Sequence, residues 1–151
     1  MPASHTEAFF VFMTLINVAN AVIVNPEGQV LLTQRFDPKN KNIHMRWQVP
    51  GGGIEKNETP RQACVREAKE ETGLTVEIIS ENPIQFNQEY PDVCFHLNVF
   101  LARAISGTIN TELDEETNDA KWYEPENIKE LRTLDDTYSM VNECLLLWKK
   151  H

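Results

Sequence analysis

Cysteine is scarce and odd in number in this 151-residue chain: Cys64, Cys94 and Cys144 stand far apart, none at metal-finger or redox spacing from another. This argues against a disulfide framework, and a reducing, cytoplasmic home is the simplest expectation. Positive charge is also short, with 14 Lys and Arg against 23 Asp and Glu and a formal charge of -9. A protein that coats nucleic acid neutralises backbone phosphates, so no nucleic-acid polymer is expected as partner. A phosphate ligand that arrives with metal cations is not excluded. Long apolar runs are missing as well. The stretch Ala8–Met13 follows His5 and Glu7 and runs into Thr14, Asn17 and Asn20. It is too short to span a bilayer and lacks the basic flank of a signal peptide, so no membrane partner is expected. No repeat, low-complexity tract or Pro/Gly/Ser-rich linker divides the chain.

What is present suits one ordinary domain. Hydrophobic residues make up 41% and charged residues 25%, and the length allows a sizeable core. Residues 1–8 read as a flexible tail and 9–151 as a single domain. Phe9–Val24 is rich in β-branched and apolar residues and favours extended chain. Its first part, Phe9–Met13, suits a sheet edge or a homodimer contact. Asn25-Pro26-Glu27-Gly28 is a turn signal, followed by a strand over Gln29–Phe36 and a polar loop over Asp37–Arg46. A short strand, Trp47–Val49, is stopped by Pro50 and three glycines.

The clearest element is a helix over Thr59–Thr72. Thr59 can cap it, Pro60 suits its first position, Gln62 completes a capping box, and Gly73 fits the left-handed stop. Strands follow at Leu74–Ser80 and Phe86–Arg103, the second interrupted by a turn at Tyr90-Pro91-Asp92. An acidic loop spans 105–119, then come a short strand at Ala120–Tyr123 and a short helix at Pro125–Leu131. The last element is an amphipathic helix over about Asp136–Lys149, with Met140, Val141, Cys144, Leu145 and Trp148 on one face. The order implies a mixed sheet covered by helices.

The Thr59–Thr72 helix is built against its own interest. Its apolar residues, Ala63, Cys64, Val65 and Ala68, are few and small. Glu67, Glu70 and Glu71 crowd one face, where like charges destabilise a helix by roughly 0.2–0.5 kcal/mol per pair. They also sit near the C-terminal end, which disfavours negative charge. A lone Glu-x-x-Glu-Glu is usually a solvated surface. Carboxylates so crowded also suit hard divalent cations that bridge to phosphates.

The surrounding residues decide between these. Gly52 is followed by five residues and Glu58, then by seven and Arg66-Glu67, Ala68, Lys69, Glu70-Glu71, Thr72, Gly73 and Leu74. This resembles the signature of the Nudix (MutT-like) hydrolases, with seven identities in register. At ordinary residue usage the chance of that match at one start is on the order of 10⁻⁸. Ala68 is smaller than the pattern's usual apolar residue. Val49-Pro50-Gly51-Gly52, the Leu31–Arg35 strand and the Trp122 strand also resemble the family.

The resemblance implies an α/β (α+β) fold, an α/β/α sandwich with a mixed central sheet flanked by helices. It implies hydrolysis of a diphosphate bond in a nucleoside diphosphate linked to another group, with Mg²⁺, or Mn²⁺ in its place. Glu70 and Glu71 would be metal ligands, Glu67 a ligand, the general base or both, and the Gly51 carbonyl a further ligand. Arg66 and Glu58 would form an orienting pair. A last ligand is expected from the acidic loop, Glu116 ahead of Glu115. Arg35 and His44 are candidates to meet phosphates, and Trp47, Phe86, Tyr90 and Phe95 to stack a base. Tyr90 and Pro91 fall where subfamily markers for dinucleoside polyphosphates and ADP-ribose lie, and having both leaves that marker ambiguous. Small size and the absence of an extra substrate module favour nucleoside triphosphates, cleaved to monophosphate and pyrophosphate. The rival classes are a non-catalytic nucleotide-binding module and an acidic protein-interaction domain.

Overall fold

A computed structural model describes residues 13–149. The expected tail at 1–8 and most of the Phe9–Met13 run therefore lie outside the described residues. Eight strands build one mixed sheet: β1 (Thr14–Val24), β2 (Val30–Arg35), β3 (Trp47–Gln48), β4 (Gly51–Gly53), β5 (Thr75–Ile78), β6 (Ile84–Glu89), β7 (Val93–Ser106) and β8 (Thr117–Tyr123). Among the described residues two helices, α1 (Pro60–Thr72) and α2 (Thr137–Trp148), and a 3₁₀ turn at Pro125–Glu130 accompany the sheet.

The sheet is organised by β1 and β7, which run parallel from Thr14↔Val93 to Val24↔Arg103. Along the far edge of β7, β6 covers one end and β5 the other. The opposite edge of β1 is shared by β4 at Val18–Asn20 and β2 at Ile23–Val24. β8 and β3 both pair with β2. The Asn25–Gly28 turn forms as expected, with the Gly28 N–H donating to the Asn25 carbonyl at 2.9 Å.

Side chains alternate between two cores. On one face Val22, Val24, Leu32, Leu97, Leu101 and Trp47 pack under Met140, Val141 and Cys144 of α2. On the other Ala19, Ala21, Ile23, Leu31 and Phe100 pack under Ala63, Cys64 and Ala68 of α1. Side chains such as Leu31, Leu32, Ile23 and Phe100 are at most 1% exposed, and burial of each is worth roughly 1.5–3 kcal/mol. The expected sandwich of helix, mixed sheet and helix is the architecture observed.

Several boundaries shift by a few residues from the sequence reading, among them the start of β6 at Ile84 and the end of β7 at Ser106, and two of the shifts bear on the site. The glycines after Pro50 do not only stop β3: Gly51–Gly53 is itself a strand, because the Val18–Asn20 edge of β1 needs backbone partners. β8 starts at Thr117 rather than Ala120, since pairing with Arg35 and Gln34 continues past the apolar residues. Among the described residues no helix is long and apolar enough to cross a membrane.

Candidate active site

α1 is fixed at both ends by its sequence. The Thr59 side chain accepts the Gln62 N–H at 3.1 Å, and the Gln62 side chain accepts the Thr59 N–H at 2.9 Å. Gly73 stops the helix at φ 81°, which a residue with a Cβ adopts only at a cost. Its small residues let the helix lie close on β1, and its free flank carries the glutamates along the glycine strand β4. The approach is tightest at Gly52, where a Cβ would stand 2.6 Å from the Glu67 carboxyl carbon. A side chain there would displace the Glu67 carboxylate.

Arg66 is the hub of the acidic face. Its Nε and Nη2 grip Glu58 at 2.7 and 2.9 Å, a two-pronged pairing that suits the planar guanidinium. Nη2 also donates to the Gly53 carbonyl at 3.0 Å, tying the glycine strand to the helix. Nη1 reaches Glu67 at 2.8 Å and Glu70 at 3.2 Å. This fork holds the Glu58 carboxyl down to about 2 and raises the arginine further.

Glu71 is different. It is 5% exposed, and one oxygen accepts the Gly51 N–H at 2.7 Å. Among the described residues it has no ion-pair partner. Burial first, then the Glu67 charge, pushes its carboxyl well above the usual range, with Asp114 adding and the Gly51 N–H and Arg35 opposing. Glu67 is half-buried and is also raised, by burial first, against the pull of Arg66 and with Glu70 and Asp114 adding. A nearly buried carboxylate without a cation, beside a second one, is a poor arrangement unless positive charge joins it. All the donors are hard oxygens, the set that suits Mg²⁺-like ions. The residues therefore fit a divalent cation. Among the described residues no three acidic, His or Cys side chains already form a closed cage; Arg66 takes oxygens of Glu67 and Glu70.

The remaining candidates separate. Glu116 lies on the loop before β8 with its carboxylate 3.0 Å from Arg35 Nη2. Arg35 in turn lines a cavity of about 690 Å³ on the α2 side of the sheet, together with Gln48, Val49, Tyr90, Phe95 and Met140. Tyr90 is on its rim and donates its hydroxyl to Asp135 at 3.0 Å. His44 is engaged in its own loop: Nδ1 accepts the Asp37 N–H at 3.0 Å, and the ring stands edge-on to Phe36. Of the stacking candidates, Trp47 is buried against Tyr123 and belongs to the core. Phe86 packs on that core from the side, and Phe95 both packs there and lines the cavity.

Sequence reasoning missed Asp114. Its charge bears on both Glu67 and Glu71, and its oxygens accept the Glu116 N–H at 3.0 Å and the Thr117 hydroxyl at 2.8 Å. The only hint in the sequence was an Asp three residues before Thr117, a turn-forming spacing.

The match of residues 14–144 to the NUDIX domain family model agrees with this geometry, and the chain belongs to that family of hydrolases. It is 33% identical to the putative nudix hydrolase 1 of Caenorhabditis elegans over 76% of this chain and 30% of that one. It is 30% identical to the 8-oxo-dGTP diphosphatase of Haemophilus influenzae over 84% of this chain and 97% of that protein. The chain spans less than half the length of the first curated relatives it matches. Among solved structures, a NUDIX-family hydrolase from Clostridium perfringens superposes with a TM-score of 0.71 at 27% identity, covering 87% of this chain and 97% of that one.

Proposed function

We propose that the chain is a divalent-cation-dependent pyrophosphohydrolase that cleaves nucleoside triphosphates to monophosphate and pyrophosphate. The observation that carries this is Glu71, nearly buried and without an ion-pair partner among the described residues, beside Glu67, whose Oε1 Arg66 holds. The name of the Haemophilus influenzae relative, which matches over nearly its full length, supports a triphosphate substrate.

Glu71, Glu70, Glu67 and the Gly51 carbonyl would hold Mg²⁺, or Mn²⁺ in its place, with Glu116 or Asp114 reaching in from the loop. The bound cation would neutralise the diphosphate oxygens and acidify a water. Glu67 is suited to take that water's proton: its carboxyl is raised, and Oε2 accepts no hydrogen bond from the described residues. Arg66 keeps Glu67 in place, and Glu58 keeps Arg66 in place. Arg35 meets substrate phosphate, and Tyr90 stands at the rim of the cavity beyond it. His44 shapes the Asp37–Arg46 loop beside it. The three cysteines form no disulfide, which supports a cytoplasmic setting.

A panel of nucleoside triphosphates, a dinucleoside polyphosphate and ADP-ribose, incubated with Mg²⁺ and again after chelation, tests the reading. The expected products are monophosphate and pyrophosphate, formed only with the cation. Preference for either of the other compounds reassigns the substrate within the same chemistry. No cation-dependent turnover of any of them leaves a nucleotide-binding module instead.

A further inference from the structure

The connection from β2 to β3 sets two arginines together on the cavity wall. Arg35 ends β2 and faces a bulge: its N–H donates to the Arg46 carbonyl at 2.9 Å, and its carbonyl accepts the Met45 N–H at 2.7 Å. Met45 is held at φ 62°, an unfavourable backbone for a long side chain, with its carbonyl fixed by the Gln34 amide at 3.0 Å. The strained bulge brings both guanidiniums to the same cavity.

Both arginines are under-partnered. The Nε of each is sealed from water and has no acceptor. Arg35 has carboxylates at Glu116, 3.0 Å, and Asp37, 3.9 Å. Arg46 has no carboxylate partner among the described residues, and its side chain is held by one bond, Nη1 to the Thr133 carbonyl at 3.1 Å. Asp135, the acid lining the cavity, takes the Tyr90 hydroxyl and pairs with neither arginine. Like charges brought to one wall repel, and a buried guanidinium N–H without an acceptor is unfavourable. In a chain with 23 acidic and 14 basic residues, pairing Arg46 with a carboxylate would have been simple. Such a local conflict marks a site that expects a ligand.

The two forks reach different places. Arg35 is tied to the carboxylate side through Glu116, whereas Arg46 is tied to Thr133, on the segment leading into α2. We propose that Arg46, with Arg35, clamps an oxyanion of the substrate outside the bond that is cleaved, a further phosphate. The clamp selects triphosphate and polyphosphate compounds over diphosphates whose second group is a neutral sugar. This assignment rests on the pyrophosphohydrolase reading for its substrate, but its binding chemistry can be measured without turnover.

The test has two arms. In the first, inorganic tripolyphosphate is titrated into the metal-free protein in chelator, read by tryptophan fluorescence, since Trp47 adjoins Arg46. Arg46→Ala is expected to weaken binding about tenfold or more, and Arg46→Lys, which keeps charge but not the fork, by less. In the second, Arg46→Ala is expected to raise KM for a nucleoside triphosphate about tenfold with kcat nearly unchanged, and to leave KM for ADP-ribose unmoved. Unchanged tripolyphosphate binding overturns the clamp, and so does an equal loss on both substrates, because the fork would then grip the shared diphosphate. If Arg46→Ala does not fold, judged by circular dichroism, Arg46→Lys carries the same comparisons. If nothing is turned over, the pyrophosphohydrolase reading fails, and the tripolyphosphate titration still decides the clamp.

Discussion

The two helices meet the same sheet in opposite ways. α2 presses Met140, Val141 and Cys144 onto large residues such as Leu32 and Leu101, and its attachment is apolar area removed from water. α1 lays Ala63, Cys64 and Ala68 on Ala19 and Ala21, which buries less area but lets backbones approach. It compensates with two complete caps and the Arg66 fork. The comparison teaches where this fold keeps its large core and where it keeps its carboxylates. The α2 face carries the large core, so the α1 face can hold crowded carboxylates at an energetic loss.

Substitutions on either face should therefore separate activity from stability. The largest effect is expected at Glu71→Gln, which should lower kcat on the preferred substrate by about 1,000-fold or more. The same change should raise metal-free stability by roughly 0.5–2 kcal/mol, because it removes a buried charge beside Glu67. Denaturant melts in chelator check this, and a variant that is both active and unaltered in stability would break the comparison. Glu116→Gln, exposed and paired with Arg35, should weaken cation use by less. On the other face, Leu32→Ala should cost about 2–5 kcal/mol of stability while the folded fraction keeps its kcat. Equal losses of rate and stability there would show that the faces are not independent.

The smallest effect is in pH dependence. The raised carboxyls of Glu71 and Glu67 contribute stability that is complete below the unfolded carboxylate value, about 4.3, and is lost as pH rises through their folded values. Glu58 acts in reverse: held down to about 2, its contribution is present above about 4.3 and is lost only as pH falls towards 2. Metal-free Tm should thus decline from mild acid towards neutrality, and Glu71→Gln should flatten the decline. A metal-free Tm that climbs over the same interval contradicts the assignment of burial as the dominant cause.

Much of α1 was legible in the sequence because its signals are local. Thr59, Pro60, Gln62 and Gly73 act on backbone within one turn, and each does what its spacing implies. The buried stripe of α2 was legible for the same reason, at Met140, Val141 and Cys144. The parallel pairing of β1 with β7 was not, since no local pattern records a partner some eighty residues away. Nor was β4, because three glycines have no strand preference until a sheet edge demands partners. In the site, the glutamates could be read from their spacing, but Asp114 could not be told from the other acids of its loop before the fold brought it towards α1. Arg46 is placed on the cavity wall next to a bulge at Met45, and a methionine does not advertise left-handed backbone.

Arg66 has a last consequence. Its guanidinium touches Glu58, Glu67, Glu70 and the Gly53 carbonyl at once. The protein thus carries a built-in stand-in for part of the charge that the proposed cation would bring. A molecule emptied by dilution or scavenging should keep its scaffold and be ready to reload, and a lysine, with no planar fork to share among these acceptors, would be an unsuitable replacement.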